Sequence, residues 1–263
     1  MRLFVFIILV SVLGITTGCK SKKPKEEKNT EVNPSKATPI AIAPVTNEVP
    51  VTAPPVKNLN RNAVARTGTG SKLRQVYDAL ELYANDNNGK YPPPFTKNAQ
   101  GSPLLSWRVL ILPNLEQGNL FNKFNQNEAW DSPTNKELLK LMPKLYLTSG
   151  NYDVNVAFKT TFLVPVANET VFPPSGGVTK NSITDGFSQT ILIVDADDDM
   201  AVEWSRPVDL NVNSRNPSLG LTNSNPAGFM AMFADGSSKV VPNRSIANVW
   251  AMFTRSGGEA VSP

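Results

Sequence analysis

The sequence predicts an α+β domain in which an N-terminal helix lies on an antiparallel sheet and a second helix closes the chain. Three observations carry this expectation. Leu73, Val76, Tyr77, Leu80 and Ala84 recur at helical spacing, with Arg74 and Glu81 turned away from their stripe. Two apolar-rich runs between Phe229 and Val241 flank Asp235-Gly236, the usual mark of a two-residue hairpin turn. Ile246, Val249, Trp250 and Phe253 repeat the helical pattern from about Ser245 to a stop at Gly257-Gly258.

The elements between these follow in order. The first helix stops at Asn87-Asn88-Gly89, and Pro92-Pro93-Pro94 bars its continuation. Residues 103–125 read as one or two short helices carrying Leu104, Trp107, Val109, Leu110 and Leu112, then Leu115, Leu120, Phe121 and Phe124. Ser132 is placed as an N-cap with Pro133 at the first helical position, opening a helix through Leu138 and Leu141 to Met142. Strand character follows at 145–147, 155–166 and 189–194.

The 263 residues suit one domain with appendages. Residues 1–18 have the layout of a secretory signal: Arg2, an apolar run from Leu3 to Ile15, then the small residues Thr16-Thr17-Gly18. The run falls short of the roughly 20 residues that cross a bilayer. Cys19, the sole cysteine, comes next and resembles the bacterial lipoprotein pattern, with Thr16 where Leu is usual. Cys19 is therefore expected to carry lipid, palmitate among its acyl groups, and to become the mature N-terminus. A cleaved signal with a free thiol and an uncleaved short anchor are the alternatives. Residues 19–69 are rich in Pro, Thr, Val, Asn and Ala and are expected to be a disordered tether, leaving residues 70–263 as a single globular domain.

The net charge of +4 belongs to the tether. Residues 19–69 hold nine Lys/Arg against four Asp/Glu, and residues 70–263 sixteen against eighteen. A nucleic-acid partner thus loses its electrostatic basis. Lys20, Lys22, Lys23 and Lys25 either meet anionic headgroups or keep the tether solvated. Lys20 directly after Cys19 favours an outer-membrane address over the inner membrane.

The chain has no histidine, which excludes a His general base, a Ser-His-Asp triad and a His-ligated zinc site. With Cys19 lipidated, no thiol remains for a nucleophile or a disulfide. Acid–base work would fall to carboxylates, Lys or Tyr, and no catalytic motif brings two of these together, so no catalytic residue is assigned and no cofactor is required. A glycosidase whose two acids lie far apart in sequence stays open.

Several blocks carry a family resemblance. LSWRVLILPNLEQ at 105–117, Phe124-Asn125 with EAWDSPTNK at 128–136, ITDGFSQTIL at 183–192, GFMAMFADG at 228–236 and FTRSGGE at 253–259 resemble, in order, blocks of the bacterial DUF1559 family of unknown function, expanded in planctomycetes. The resemblance covers about residues 70–261. It implies a pseudopilin-like fold and a C-terminal signature of histidine, nine residues, then Asp-Gly. Here Asn225 stands at the histidine position, and Asp235-Gly236 matches as the signature turn. A lipoprotein-type start replaces the prepilin-type segment that family members usually carry.

Three places are candidates for a site. Asp195, Asp197, Asp198 and Asp199 form a carboxylate-dense loop, read either as a calcium site or as a solvated acidic turn; its spacing is not that of an EF-hand. Trp130 and Trp204 lie at element ends and are candidates to line a ligand groove, whereas Trp107 and Trp250 fit core stripes. Asp235-Gly236 is expected to be a structural turn. The leading expectation is a non-enzymatic, lipid-anchored envelope protein that presents its domain to a protein partner. A solute- or carbohydrate-binding lipoprotein is the alternative, and a carboxylate-dependent hydrolase stands third.

Overall fold

Leu73, Val76, Ala79, Leu80 and Ala84 are all buried along one side of a single helix, α1 (Ala63–Asp86). The structure is a computed structural model that describes residues 63–148, 152–224, 227–243 and 246–258. The signal segment 1–18, Cys19, the tether up to residue 62 and Asn225 lie outside the described residues. No described helix is long and apolar enough to cross a membrane.

The helix begins at Ala63, so residues 63–69, expected in the tether, are helical. Thr69 is buried and Gly70 lies so near the sheet that a Cβ there would sit 3.2 Å from the Ser238 hydroxyl. At Thr69 and Gly70 close packing outweighs a low helix propensity. The other end stops as expected. Asn88 takes a left-handed φ of 57°, and the Gly89 amide reaches back to the Ala84 carbonyl at 2.8 Å.

The middle of the chain is a series of short elements: β1 (Phe95–Lys97), β2 (Pro103–Ser106), α2 (Trp107–Leu110), α3 (Gly118–Phe121), α4 (Pro133–Lys136) and α5 (Tyr152–Val156). Residues 103–106, expected within a helix, instead pair with β1 as a strand. Ser132 caps α4 as predicted, its hydroxyl accepting from the Asn135 amide at 3.2 Å, but the α-helix ends at Lys136 and tightens to a 3-10 turn over Glu137–Leu141. The strand expected at 145–147 is a 3-10 turn, Lys144–Tyr146, because the Tyr146 ring is buried and its hydroxyl bonds the Arg108 carbonyl.

The strand expected at 155–166 is divided three ways. β3 (Lys159–Thr160) pairs with β7 (Val202–Glu203), and β4 (Phe162–Leu163) pairs with β6 (Ile191–Asp195). β5 (Pro165–Val166) pairs in parallel with β8 (Leu210–Asn211). Each two-residue stretch serves a different sheet, so no single periodicity describes them.

The central sheet is four-stranded and antiparallel, in the order β10 (Ser238–Val241), β9 (Phe229–Phe233), β6, β4. Its inner strands, β6 and β9, are covered on both faces, while the edge strand β10 is exposed at Ser238 and Lys239. Met232 of β9 joins the core built on α1, Trp107 and Trp204, while Phe229, Ala231 and Phe233 join a second core with Val249 and Phe253 of α6 (Ile246–Phe253). The α+β expectation holds: helices combine with mostly antiparallel strands, which among the described residues form four sheets, this one the largest. The hairpin differs in detail. Ser238 pairs with Met232, and the Phe233 amide bonds the Ser237 carbonyl, so the connection has three residues, Ala234 to Gly236, rather than two. Gly236, at φ 80°, takes the left-handed position that such a loop requires.

Candidate functional site

The first cluster is a buried ion pair between Arg108, from the block at 105–117, and Asp209. Ser106 caps α2 and sends Arg108 inward, where Nη2 lies 2.6 Å from Asp209 Oδ1 with both residues almost wholly buried. Nε and Nη2 donate to the Phe162 carbonyl at 3.0 and 2.8 Å, and Nη1 donates to the Ser106 hydroxyl at 2.8 Å. Asp209 also accepts from Trp107 Nε1 and the Val164 amide. Burial raises the Asp209 carboxyl above its ordinary range, against the opposing pull of Arg108 and these donors. Every partner donates, so the network holds the carboxylate form. Asp209 has no motif around it in sequence; its sole signal is an acid flanked by Val208 and Leu210.

The second cluster joins two motif blocks. Asp185 accepts from the amides of Gly257 and Gly258, at 2.6 and 2.9 Å, and from the Thr254 hydroxyl. The Arg255 carbonyl in turn accepts from the Thr184 amide at 2.7 Å, while Arg255 Nη1 donates to the carbonyls of Asn168 and Thr170. The carboxylate thus closes the end of the chain that follows α6.

The third is the Asp235-Gly236 turn, which docks on α1. Tyr77 donates its hydroxyl to the Ala234 carbonyl, and Arg74 donates to the Gly236 carbonyl, each at 3.1 Å. Asp235 accepts from the Ser237 amide and hydroxyl. In this geometry the turn joins the β9–β10 hairpin to α1.

The acidic loop is not one cluster. Asp195 ends β6 and accepts from the Thr161 hydroxyl. Asp197, only 2% exposed, accepts from the amides of Asn223 and Ser224 and so closes the 197–224 loop. Asp198 and Asp199 open a 3-10 turn, and Asp199 is exposed. Among the described residues, no group of three or more acidic side chains is placed to hold a metal ion. Between Asp195, Asp197, Thr69 and Ser224 lies a cavity of about 20 Å³, room for one water. Burial lowers the pKa of nearby Lys72, and the Asp195 charge opposes that shift.

The tryptophans redistribute. Trp204 is fully buried, edge-on to Phe124 at 5.6 Å and stacked on Tyr146 at 6.0 Å, with Nε1 bonded to the Leu139 carbonyl. It cannot line a groove, because loops that its position at an element end does not reveal cover it. Trp130 is half-buried under the Arg206 guanidinium, 5.5 Å from its ring. Trp107 is core, as expected. Trp250 is only partly buried, and beside it runs an open groove of about 240 Å³.

The fold and these clusters define an α+β domain whose motif side chains hold its loops together. Residues 63–146 match the family model described as a protein of unknown function, DUF1559, and this match supports membership of that family. No curated protein and no solved structure matches the chain.

Proposed function

We propose that the chain is a lipid-anchored protein of the cell envelope, outer membrane rather than inner, whose pseudopilin-like domain acts by contact with an envelope protein partner and not by catalysis. One observation supports this most: three charged side chains of the motif blocks, Arg108, Asp185 and Asp235, are spent on the protein itself. Arg108 faces Asp209, Asp185 grips Gly257 and Gly258, and Asp235 folds its own turn. The Cys19 context and the absence of histidine support it from the sequence side.

The test has two arms. Mass spectrometry of the native chain should find a mature N-terminus at Cys19 carrying acyl groups; a free thiol with the leader retained would overturn the anchor. Pull-down from detergent-solubilised envelope should recover the same protein with the wild type but not with a Cys19→Ser form held outside the membrane. Catalytic turnover by the purified chain would overturn the non-enzymatic reading.

A further inference from the structure

We infer that the groove beside α6 is a carbohydrate-binding site, with Trp250 as its aromatic platform and Glu169 as its hydroxyl acceptor. The groove is lined by Asn168, Glu169, Trp250, Thr254, Arg255 and Ser256, with Gly257 at its end. At about 240 Å³ it is smaller than the roughly 300–1,000 Å³ pockets that enclose drug-sized ligands, and it is open to solvent. That size suits one sugar ring of a longer chain whose ends remain in water.

The chemistry of the walls selects the ligand class. Trp250 offers a large, partly exposed indole to the apolar C–H face of a pyranose. Glu169 is exposed, and its carboxylate has no hydrogen-bond or ion-pair partner among the described residues, so it is available to accept from sugar hydroxyls. Asn168 and Ser256 are likewise exposed and add an amide and a hydroxyl. Arg255 places a positive charge in the same wall. A net anion would face Glu169 and a net cation would face Arg255, whereas a neutral polyol can donate to one and accept from the other.

The walls are also held in place before any ligand arrives. The Arg255 amide bonds the Glu169 carbonyl at 3.0 Å, and its Nη1 bonds the Asn168 carbonyl at 2.6 Å. Asp185 fixes Gly257 and Gly258. A preformed wall lowers the ordering cost of binding. This site stands apart from Trp130 and Trp204, and it does not depend on the state of Cys19.

The experiment is a fluorescence titration of the full chain, in a detergent without a sugar headgroup, with maltose, cellobiose and N,N′-diacetylchitobiose. At least one should give a saturable change in tryptophan emission. Glu169→Gln should weaken that affinity at least fivefold at an unchanged melting temperature, since the carboxylate supports no fold contact. Trp250→Ala should abolish the response, and Trp130→Ala should leave it intact. No saturable response to any of the three sugars, or equal affinity in Glu169→Gln, would overturn the site whether or not Trp250→Ala folds. An unmodified Cys19 would leave these outcomes unaffected.

Discussion

Arg108 Nη2 and Asp209 Oδ1 meet at 2.6 Å in the interior, across a sequence separation of 101 residues. The pair ties α2 to the carbonyl of β4 and to the amide of Val164. Removing one partner strands a buried charge, so Asp209→Ala should cost about 3–5 kcal/mol in urea denaturation. Arg108→Met combined with Asp209→Leu should cost less than the sum of the single changes, because neither charge is then left uncompensated. Strict additivity would mean that the two side chains do not support one another.

Gly236 and Gly89 form a matched pair. Both have a left-handed φ, 80° and 76°, but a Cβ on Gly236 would sit 2.8 Å from the Tyr77 ring, while one on Gly89 would meet nothing within 4 Å. Gly89→Ala should therefore lose only the conformational part, about 1 kcal/mol. Gly236→Ala should lose more, since the turn must move off α1. Denaturation midpoints of the two variants decide it, and equal losses would show that the docking contributes nothing.

Asp235 sets a pH dependence. Desolvation pushes its carboxyl up, but the Ser237 hydroxyl and amide and the charge of Lys239 outweigh this, and the net direction is down. A carboxyl lowered in the folded state stabilises above its unfolded value of about 3.9, and that contribution is lost as pH falls through the folded value. The residue is largely exposed, so the effect is small. Stability of the wild type should approach that of Asp235→Asn between about pH 4 and pH 2. A gap that stays constant over this range would remove the proposed ionisation.

Asp197 separates loop closure from metal binding. Its partners are backbone amides, so Asp197→Ala should orphan buried donors and cost about 1–3 kcal/mol in the presence of chelator. A thermal shift with added calcium in the wild type, absent from Asp197→Ala, would instead establish calcium as a ligand of this loop.

The sequence carried the fold where periodicity is local. The α1 stripe, the Ser132 cap, the β9–β10 hairpin and α6 are all read from neighbours within a few residues. It did not carry Tyr146, Asp209 or the three-way division of 159–166, since each depends on a partner far along the chain. The tryptophans show the same limit. Trp250 lies on a helical stripe, yet α6 has only eight residues and the loop at 168–169 leaves one side of it open. Trp204 looks terminal in sequence, yet Phe124, Tyr146 and Leu139 converge on it.

Because Arg74 and Tyr77 hold the β9–β10 turn, and Glu81 pairs with Lys180 in the 3-10 turn Lys180–Ser182, α1 is fastened to the rest of the domain at several heights along its length. Tension arriving through the chain ahead of residue 63 would load these bonds together in shear instead of unzipping them one after another. A domain held by its leading end would then withstand pulling better than its modest size implies.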